Sequence, residues 1–198
     1  MNSLKMNLLI AGSILLISAT VSISNNYTLA KDYTVTIHGT SNLHDWDETV
    51  GTVSGEGAVI WNSDGSFDLN TITIKMEVHS IKSTEGSMMN NNTYKALKAD
   101  ADPEIVFALS TPLKSIEGNA SGKALLAKGK LTIAGITNPI DMQVKVSMQG
   151  HDKMAFEGSQ TIKMTDYGIN PPTALFGTLK TGNILTISFK TNFNITAQ

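Results

Sequence analysis

His44, Asp45 and Trp46 are the residues best suited to a chemical role, and they follow one another in a polar stretch of the chain. A histidine next to a carboxylate is an acid–base pair of the kind that serves catalytic triads. A triad also needs a serine, threonine or cysteine nucleophile against the histidine and donors for an oxyanion. The chain has no cysteine and no Gly-x-Ser-x-Gly motif. We therefore predict no catalytic residue, and an enzyme that processes a lipid or amide through His44 and Asp45 remains the alternative.

Metal binding is also not predicted. The four histidines, His38, His44, His79 and His151, show no spacing typical of metal ligands. His38 and His79 fall on the polar side of their alternating segments, so we expect them to face water. An indole has an apolar body and one polar N–H group, which suits the border between a cavity and solvent. We therefore interpret residues 44–46 as part of the rim of a cavity.

Composition excludes several classes of partner. The chain contains no arginine, the residue that most often clamps phosphate and carboxylate groups in two-pronged hydrogen bonds. Its lysines are scattered among a slightly larger number of acidic residues, so a nucleic-acid partner is not expected. Without cysteine, the fold must rest on burial and backbone pairing rather than on disulfides.

The first 30 residues resemble a secretory leader. Lys5 precedes an apolar run over residues 8–17, and a polar stretch then ends in Thr28-Leu29-Ala30. We predict cleavage after Ala30, with Ala19 as the alternative site and an uncleaved membrane anchor as the alternative interpretation. The mature part, residues 31–198, is then one domain with a periplasmic or secreted location.

Strict alternation of apolar and polar residues dominates the rest of the chain, and this period of two is typical of half-buried β-strands. The clearest alternating segments are residues 33–37, 69–78, 139–149, 154–164 and 185–195. Further strands are predicted at residues 50–61, 104–110, 118–127 and 128–134. Eight or nine strands without helical crossovers must form an antiparallel sheet, which hides its edges by closing or by stacking.

Alternation alone does not separate a sandwich from a barrel. One segment departs from the pattern, because the spacing of Met89, Tyr94 and Leu97 fits a short helix or a covering loop over residues 85–97. Asp102-Pro103 ends this segment. The residues alone therefore predict an all-β domain with one short helical segment.

Several stretches, taken in order, resemble the YceI-like family of exported lipid-binding proteins, and together they span residues 33–196. They are GTSNLHDW (residues 39–46), VHSI (78–81), YKAL (94–97), DPEIVF (102–107), GKLTIAGIT (129–137), TDYGI (165–169) and the closing strand (184–194). The resemblance implies a single antiparallel, lipocalin-like β-barrel of about eight strands. It also implies that the barrel holds a long isoprenoid chain, such as that of a quinone or a polyprenyl lipid, and that it catalyses no reaction.

On this interpretation the ligand-binding residues are those with inward parity, together with four residues at the opening. The inward set is Val35, Ile37, Ile72, Ile74, Met76, Val78, Phe107, Leu131, Ile133, Met142, Val144, Val146, Phe156, Ile162, Ile187 and Phe189. The opening set is Trp46, Met88, Met89 and Tyr94. Met88 and Met89 fit a deformable lid and ordinary packing equally well.

The lipid is expected as a bound ligand rather than as a cofactor, and no other cofactor or metal is expected. Since only lysines such as Lys82, Lys95 and Lys98, or backbone N–H groups, could bind a diphosphate, a neutral headgroup such as a quinone or lipid amide is favoured over a diphosphate. Transient membrane contact is expected for a lipid carrier. The sequence does not determine the oligomeric state, and a homodimer is one of the alternatives. A third alternative is a barrel with a filled interior that acts as a secreted interaction protein.

Overall fold

The structure, a computed structural model, describes residues 24–174 and 176–196. Fourteen regular elements follow one another in this part of the chain. They are β1 (Ser24–Leu29), β2 (Thr34–Ser41), β3 (Trp46–Val50), β4 (Val53–Trp61), β5 (Ser66–Glu77), β6 (Ile81–Ser83), α1 (Ser87–Ala96), β7 (Glu104–Leu109), β8 (Leu113–Glu117), β9 (Lys123–Ile133), β10 (Ile136–Gln149), β11 (Lys153–Lys163), β12 (Thr173–Ala174) and β13 (Leu179–Ile195). Short 3-10 turns occupy Val78–Ser80 and Met164–Tyr167.

The strands form a closed antiparallel barrel. Its ring runs β1, β4, β5, β7, β9, β10, β11 and β13, and β1 pairs with β13 to close it. β8 pairs with β5 and β12 with β13 outside this ring. The predicted all-β barrel of about eight strands with one short helical segment is confirmed. Within the described ranges, no helix is long and apolar enough to cross a membrane.

Three walls of the barrel are each built from two consecutive strands with a bend between them. β1 and β2 pair with the same edge of β13, β1 near its end and β2 along most of its length. β3 and β4 are separated by Gly51 and Thr52, where the predicted single strand over residues 50–61 is interrupted. β5 continues through a 3-10 turn into β6, so the predicted strand over residues 69–78 ends before Val78.

One end of the barrel, which we call the plugged end, is filled by large side chains. Tyr27, Phe67 and Met148 are fully buried there. The Trp61 indole stacks on the His151 ring at a centroid distance of 3.9 Å. The Tyr27 hydroxyl donates a 2.5 Å hydrogen bond to the carbonyl of His151. Because of these contacts, this end of the barrel is a tightly packed core and not an open channel.

The opposite end, which we call the helix end, carries α1 and the segment 172–181. α1 lies against β6, where Asn90 Oδ1 accepts a hydrogen bond from the backbone N–H of Ser83 at 2.8 Å. The Tyr94 hydroxyl donates to the carbonyl of Ile81 at 2.8 Å. These bonds fix the helix across the barrel rim, as expected for the covering segment predicted over residues 85–97.

The N-terminal strand is the main difference between the structure and the sequence analysis. The predicted leader includes residues 24–29, but the structure places them in β1, which joins β4 to β13. A second difference is that residues 118–127 and 128–134, predicted as two strands, contribute to one continuous strand, β9. Gly129 lies within this strand, where it pairs with Ile140 of β10.

Candidate ligand-binding cavity

An apolar lumen extends through the barrel between the plugged end and the helix end. Its walls are inward side chains of β2, β3, β5, β7, β9, β10, β11 and β13, and Met89, Ala96 and Leu97 from the covering segment line it as well. The lumen has a cavity volume of about 230 Å³. In the described part of the chain, no lysine or histidine lines it. Such a lumen can shelter a hydrocarbon chain from water.

The structure brings most of the predicted ligand-binding residues together on this wall. The sixteen that line the lumen are Val35, Ile37, Trp46, Ile72, Ile74, Met76, Met89, Phe107, Leu131, Ile133, Met142, Val144, Phe156, Ile162, Ile187 and Phe189. They come from strands distant in sequence because the pleat points alternate residues of every wall strand to the same side.

Four predicted residues lie elsewhere. Val78 is buried beneath the 3-10 turn after β5 and does not reach the lumen. Val146 has the inward parity of β10, but it lies in the fully packed plugged end. Met88 is 75% exposed on the outer side of α1. Tyr94 packs its ring against His79 outside the barrel at a centroid distance of 4.9 Å.

Aromatic side chains of the wall lie flat over glycines on neighbouring strands. A Cβ added to Gly39 would clash with Cζ2 of Trp46, which shows how closely the indole covers that glycine. The ring of Phe107 covers Gly129 in the same way, because a Cβ placed there would clash with Cε2 of the ring. Glycine thus provides room for the rings along the wall, a pairing known from other sheets.

The sequence analysis missed several apolar residues of the lumen, such as Ile105 and Ile140, and all of its polar residues. Glu48 lies between Trp46 and Val50 on the inward face of β3 and is only 2% exposed. Thr93 of α1 donates a 2.5 Å hydrogen bond to Glu48 Oε1. Burial raises the pKa of the Glu48 carboxyl, and this hydrogen bond opposes the rise in part. The sequence did contain an indication that Glu48 faces inward. Glu48 is two residues from Trp46, and residues two apart in a strand share a face.

His44 and Asp45 do not form an acid–base pair. The His44 ring contacts the backbone carbonyl of Asp45 at 2.7 Å through Nδ1. The carboxylate of Asp45 instead lies 3.9 Å from Nε2 of His38, and all these groups are exposed on the outer surface. Only Trp46 of the predicted rim reaches the lumen, and its Nε1 donates to the carbonyl of Thr40 at 3.2 Å. Among residues 24–174 and 176–196, no group of three potential metal ligands was found.

The lysines considered for a charged headgroup also lie outside the lumen. Lys82 donates a hydrogen bond to the Tyr94 hydroxyl on the outer surface. Lys98 reaches the carbonyl of Ala134 at 3.4 Å. Lys95 borders a shallow polar depression beside His79. Their positions leave the interior of the lumen without a positive side chain in the described ranges.

The family model of the YceI-like domain matches residues 27–193. The chain belongs to the YceI-like family. A UPF0312 protein of Pseudomonas paraeruginosa is 38% identical over 61 residues, which are 28% of this chain and 32% of that protein. The chain therefore aligns with about a third of the length of the curated relatives it matches. Since the family match covers all of the barrel except the first residues of β1 and the last residues of β13, it includes both the lumen and the plugged end.

Solved structures share the YceI-like fold with this chain. A polyisoprenoid-binding domain from Saccharophagus degradans superposes with a TM-score of 0.64 at 14% identity, covering 86% of this chain and 98% of that domain. BcnA from Burkholderia cenocepacia gives a TM-score of 0.60 at 18% identity, covering 81% and 95%. A mutant of the YceI protein of Campylobacter jejuni gives 0.52 at 14% identity over the full length of both chains. These similarities establish the architecture of the barrel.

Proposed function

We propose that this protein is an exported carrier that holds one long isoprenoid chain in its lumen and protects it from water. The observation that carries this proposal is the continuous apolar lumen, whose wall exposes almost no polar atoms to a ligand. Burying apolar surface contributes about 25 cal/mol per Å², so a long chain gains many kcal/mol before the entropy cost of binding. The polyisoprenoid-binding domain with the same fold supports this choice of ligand.

The length of the lumen favours a long chain over an ordinary fatty acid. Along β13, inward residues from Leu179 to Thr191 line the lumen. Twelve residues at ~3.3 Å each, tilted by ~40° to the barrel axis, span roughly 30 Å. One leaflet of a bilayer, which an ordinary acyl chain fills, has a hydrocarbon depth of about 15 Å. The lumen is therefore suited to a chain about twice as long as an ordinary acyl chain.

Two alternative functions have less support. The open lumen argues against a filled barrel, because that interpretation expects no continuous cavity. The outward positions of His44 and Asp45 argue against an enzyme that uses this pair, since neither side chain reaches the space where a lipid would lie.

Mass spectrometry of organic extracts provides the direct test of the carrier proposal. We expect protein purified from its native host without detergent to contain a near-stoichiometric isoprenoid, with a neutral headgroup such as a quinone. A folded protein whose extract contains no lipid, and which takes up no isoprenoid added in vitro, would contradict the carrier function.

Two exposed apolar side chains at the helix end are proposed to contact the membrane during loading. Leu43 and Phe176 are highly exposed at the tips of two neighbouring loops. Asn42 joins these loops, since its Nδ2 donates to the carbonyl of Thr178 at 2.8 Å and its Oδ1 accepts from Lys180 N–H at 2.8 Å. An isoprenoid is stored in bilayers, so a carrier must reach it there.

We expect the double substitution Leu43→Asp and Phe176→Asp to lower the rate of isoprenoid uptake from phospholipid vesicles by about tenfold or more, because each tip loses ~1.5–3 kcal/mol of apolar burial. Stopped-flow quenching of tryptophan by a quinone in the vesicles measures this rate. Leu126→Asp is the matched control, since Leu126 is exposed on the outer face of β9. Equal uptake by the double variant and the control would contradict a docking role for the tips.

A further inference from the structure

The lumen contains one buried carboxyl group in an otherwise apolar wall. Glu48 is the one charged side chain that is buried in residues 24–174 and 176–196. No lysine or histidine in these ranges forms an ion pair with it. Burying an unpaired carboxyl group costs free energy of folding. The position of Glu48 in the lumen wall is therefore best explained by a polar group of a ligand that binds beside it.

Thr93 forms a hydrogen bond with one of the two oxygens of this carboxyl group. It donates to Oε1, and no other described residue donates a hydrogen bond to either oxygen of Glu48. Oε2 therefore has hydrogen-bonding capacity left, and the Glu48 side chain forms part of the lumen surface. Asn92, one residue before Thr93 on α1, lines the same lumen. A small polar patch thus lies beneath the helix within an apolar cavity.

The position of this patch suits the polar end of a lipid. α1 lies at the helix end, whereas Phe156 and Leu69 line the lumen near the plugged end. A tail that extends toward the plugged end leaves its headgroup near α1. Tail and headgroup would then each meet a surface of matching polarity, which is how apolar pockets orient their ligands.

The charge of the patch limits which headgroup it accepts. A phosphate or diphosphate beside Glu48 would meet a carboxyl group in a cavity that offers no lysine or histidine within the described ranges. A hydroxyl, carbonyl or amide group can exchange hydrogen bonds with Glu48 and Thr93 without adding charge. Burial favours the protonated form of Glu48, in which the carboxyl both donates and accepts.

We propose that Glu48 and Thr93 form the headgroup site of the lumen and select an isoprenoid with an uncharged, hydrogen-bonding end over one with a phosphate or diphosphate. This assignment rests on the proposed carrier function and specifies its ligand class.

Two probes with the same hydrocarbon chain, geranylgeraniol and geranylgeranyl diphosphate, test the assignment. Trp46 lines the lumen, so tryptophan fluorescence reports their binding. The wild-type protein is expected to bind the alcohol at least about tenfold more tightly than the diphosphate, a factor that corresponds to ~1.4 kcal/mol. Glu48→Gln keeps the shape and hydrogen bonding of the side chain and is expected to retain the affinity for the alcohol.

Glu48→Leu removes the polar group and is expected to reduce the preference for the alcohol over the diphosphate by about tenfold, with most of the loss on the alcohol. A purely structural role of Glu48 would change both affinities together and leave their ratio unchanged, which would overturn the assignment. Equal binding of both probes by the wild type would also overturn it while leaving the carrier function in place. If a folded wild-type protein bound neither probe, the carrier function would fail as well.

The pH dependence of stability gives a second readout that needs no ligand. The charged groups on the elements packed against Glu48 are His38 on β2, Asp47 on β3, Lys82 on β6 and Lys95 on α1, and all four are exposed. Because burial raises the pKa of Glu48, its favourable contribution is complete below the pKa of an unfolded glutamate and is lost as pH rises through the folded pKa.

Glu48→Gln does not ionise, so we expect its Tm to exceed that of the wild type increasingly as the pH rises from about 4 through the folded pKa of Glu48. Thermal unfolding followed by circular dichroism measures the difference. A constant difference across this range would contradict the buried position of Glu48, on which the headgroup site depends.

Discussion

A chain that begins at Lys31 is expected not to form a stable barrel, whereas a chain that begins at Thr20 is expected to fold. The shorter chain lacks β1, which pairs with β4 on one side and with β13 on the other. Its loss opens the ring and leaves two unpaired strand edges at the plugged end. It also removes Tyr27, which is fully buried and bonded to His151.

The expected loss is large compared with the stability of an ordinary domain. Deleting a buried aromatic side chain alone costs about 3–5 kcal/mol, and a whole domain has only about 5–15 kcal/mol. Urea unfolding followed by far-UV circular dichroism compares the two chains. Tyr27→Phe in the longer chain is the matched control, because it removes only the hydroxyl and keeps the ring. Equal unfolding midpoints for the chains beginning at Thr20 and Lys31 would contradict a structural role for β1.

The same strand bears on where the predicted leader would be cleaved. We propose that cleavage occurs after Ala19, the alternative site, because cleavage after Ala30 would remove β1 from the mature protein. The intact mass of the exported protein distinguishes the two products. A mature chain beginning at Lys31 that is folded and carries lipid would contradict this proposal.

The fold was largely predictable because alternation has a direct structural cause. On β10, Met142 and Val144 share one face of a pleated strand, and both line the lumen. The same pattern could not show where the lumen ends. Val146 continues the alternation but is packed in the plugged end, since residues from several distant strands meet there. Parity predicts the inner face of a wall, but the depth of the cavity depends on tertiary packing.

Two other features lie outside what local patterns can indicate. β3 has only five residues, and the charge of Glu48 interrupts the apolar face that would have identified it as a strand. Residues 24–29 lie between a leader-like segment and Ala30. Only the tertiary structure shows that Tyr27 is a core residue. In both cases the decisive partners, Thr93 and His151, are far away in sequence.

Blocking the deep part of the lumen is the second change with a large expected effect. Ala127 lies on the inner face of β9, opposite Met142 of β10, and lines the lumen toward the plugged end. Ala127→Phe places an aromatic ring into this space, and an eight-stranded barrel has an interior only wide enough for side chains or one slender ligand. We expect retention of a long isoprenoid alcohol such as solanesol to fall by at least about tenfold, measured as lipid co-eluting with the protein.

Chain length separates a blocked lumen from a damaged fold. A short alcohol such as geraniol occupies only the part of the lumen near the helix end, so its binding is expected to change much less than that of solanesol. Ala124→Phe is the matched control, since Ala124 is exposed on the outer face of the same strand. Equal losses for both alcohols would indicate a disturbed fold. Undiminished solanesol binding by a folded Ala127→Phe protein would place the tail elsewhere and contradict the carrier function, because the deep lumen would then hold no part of the ligand.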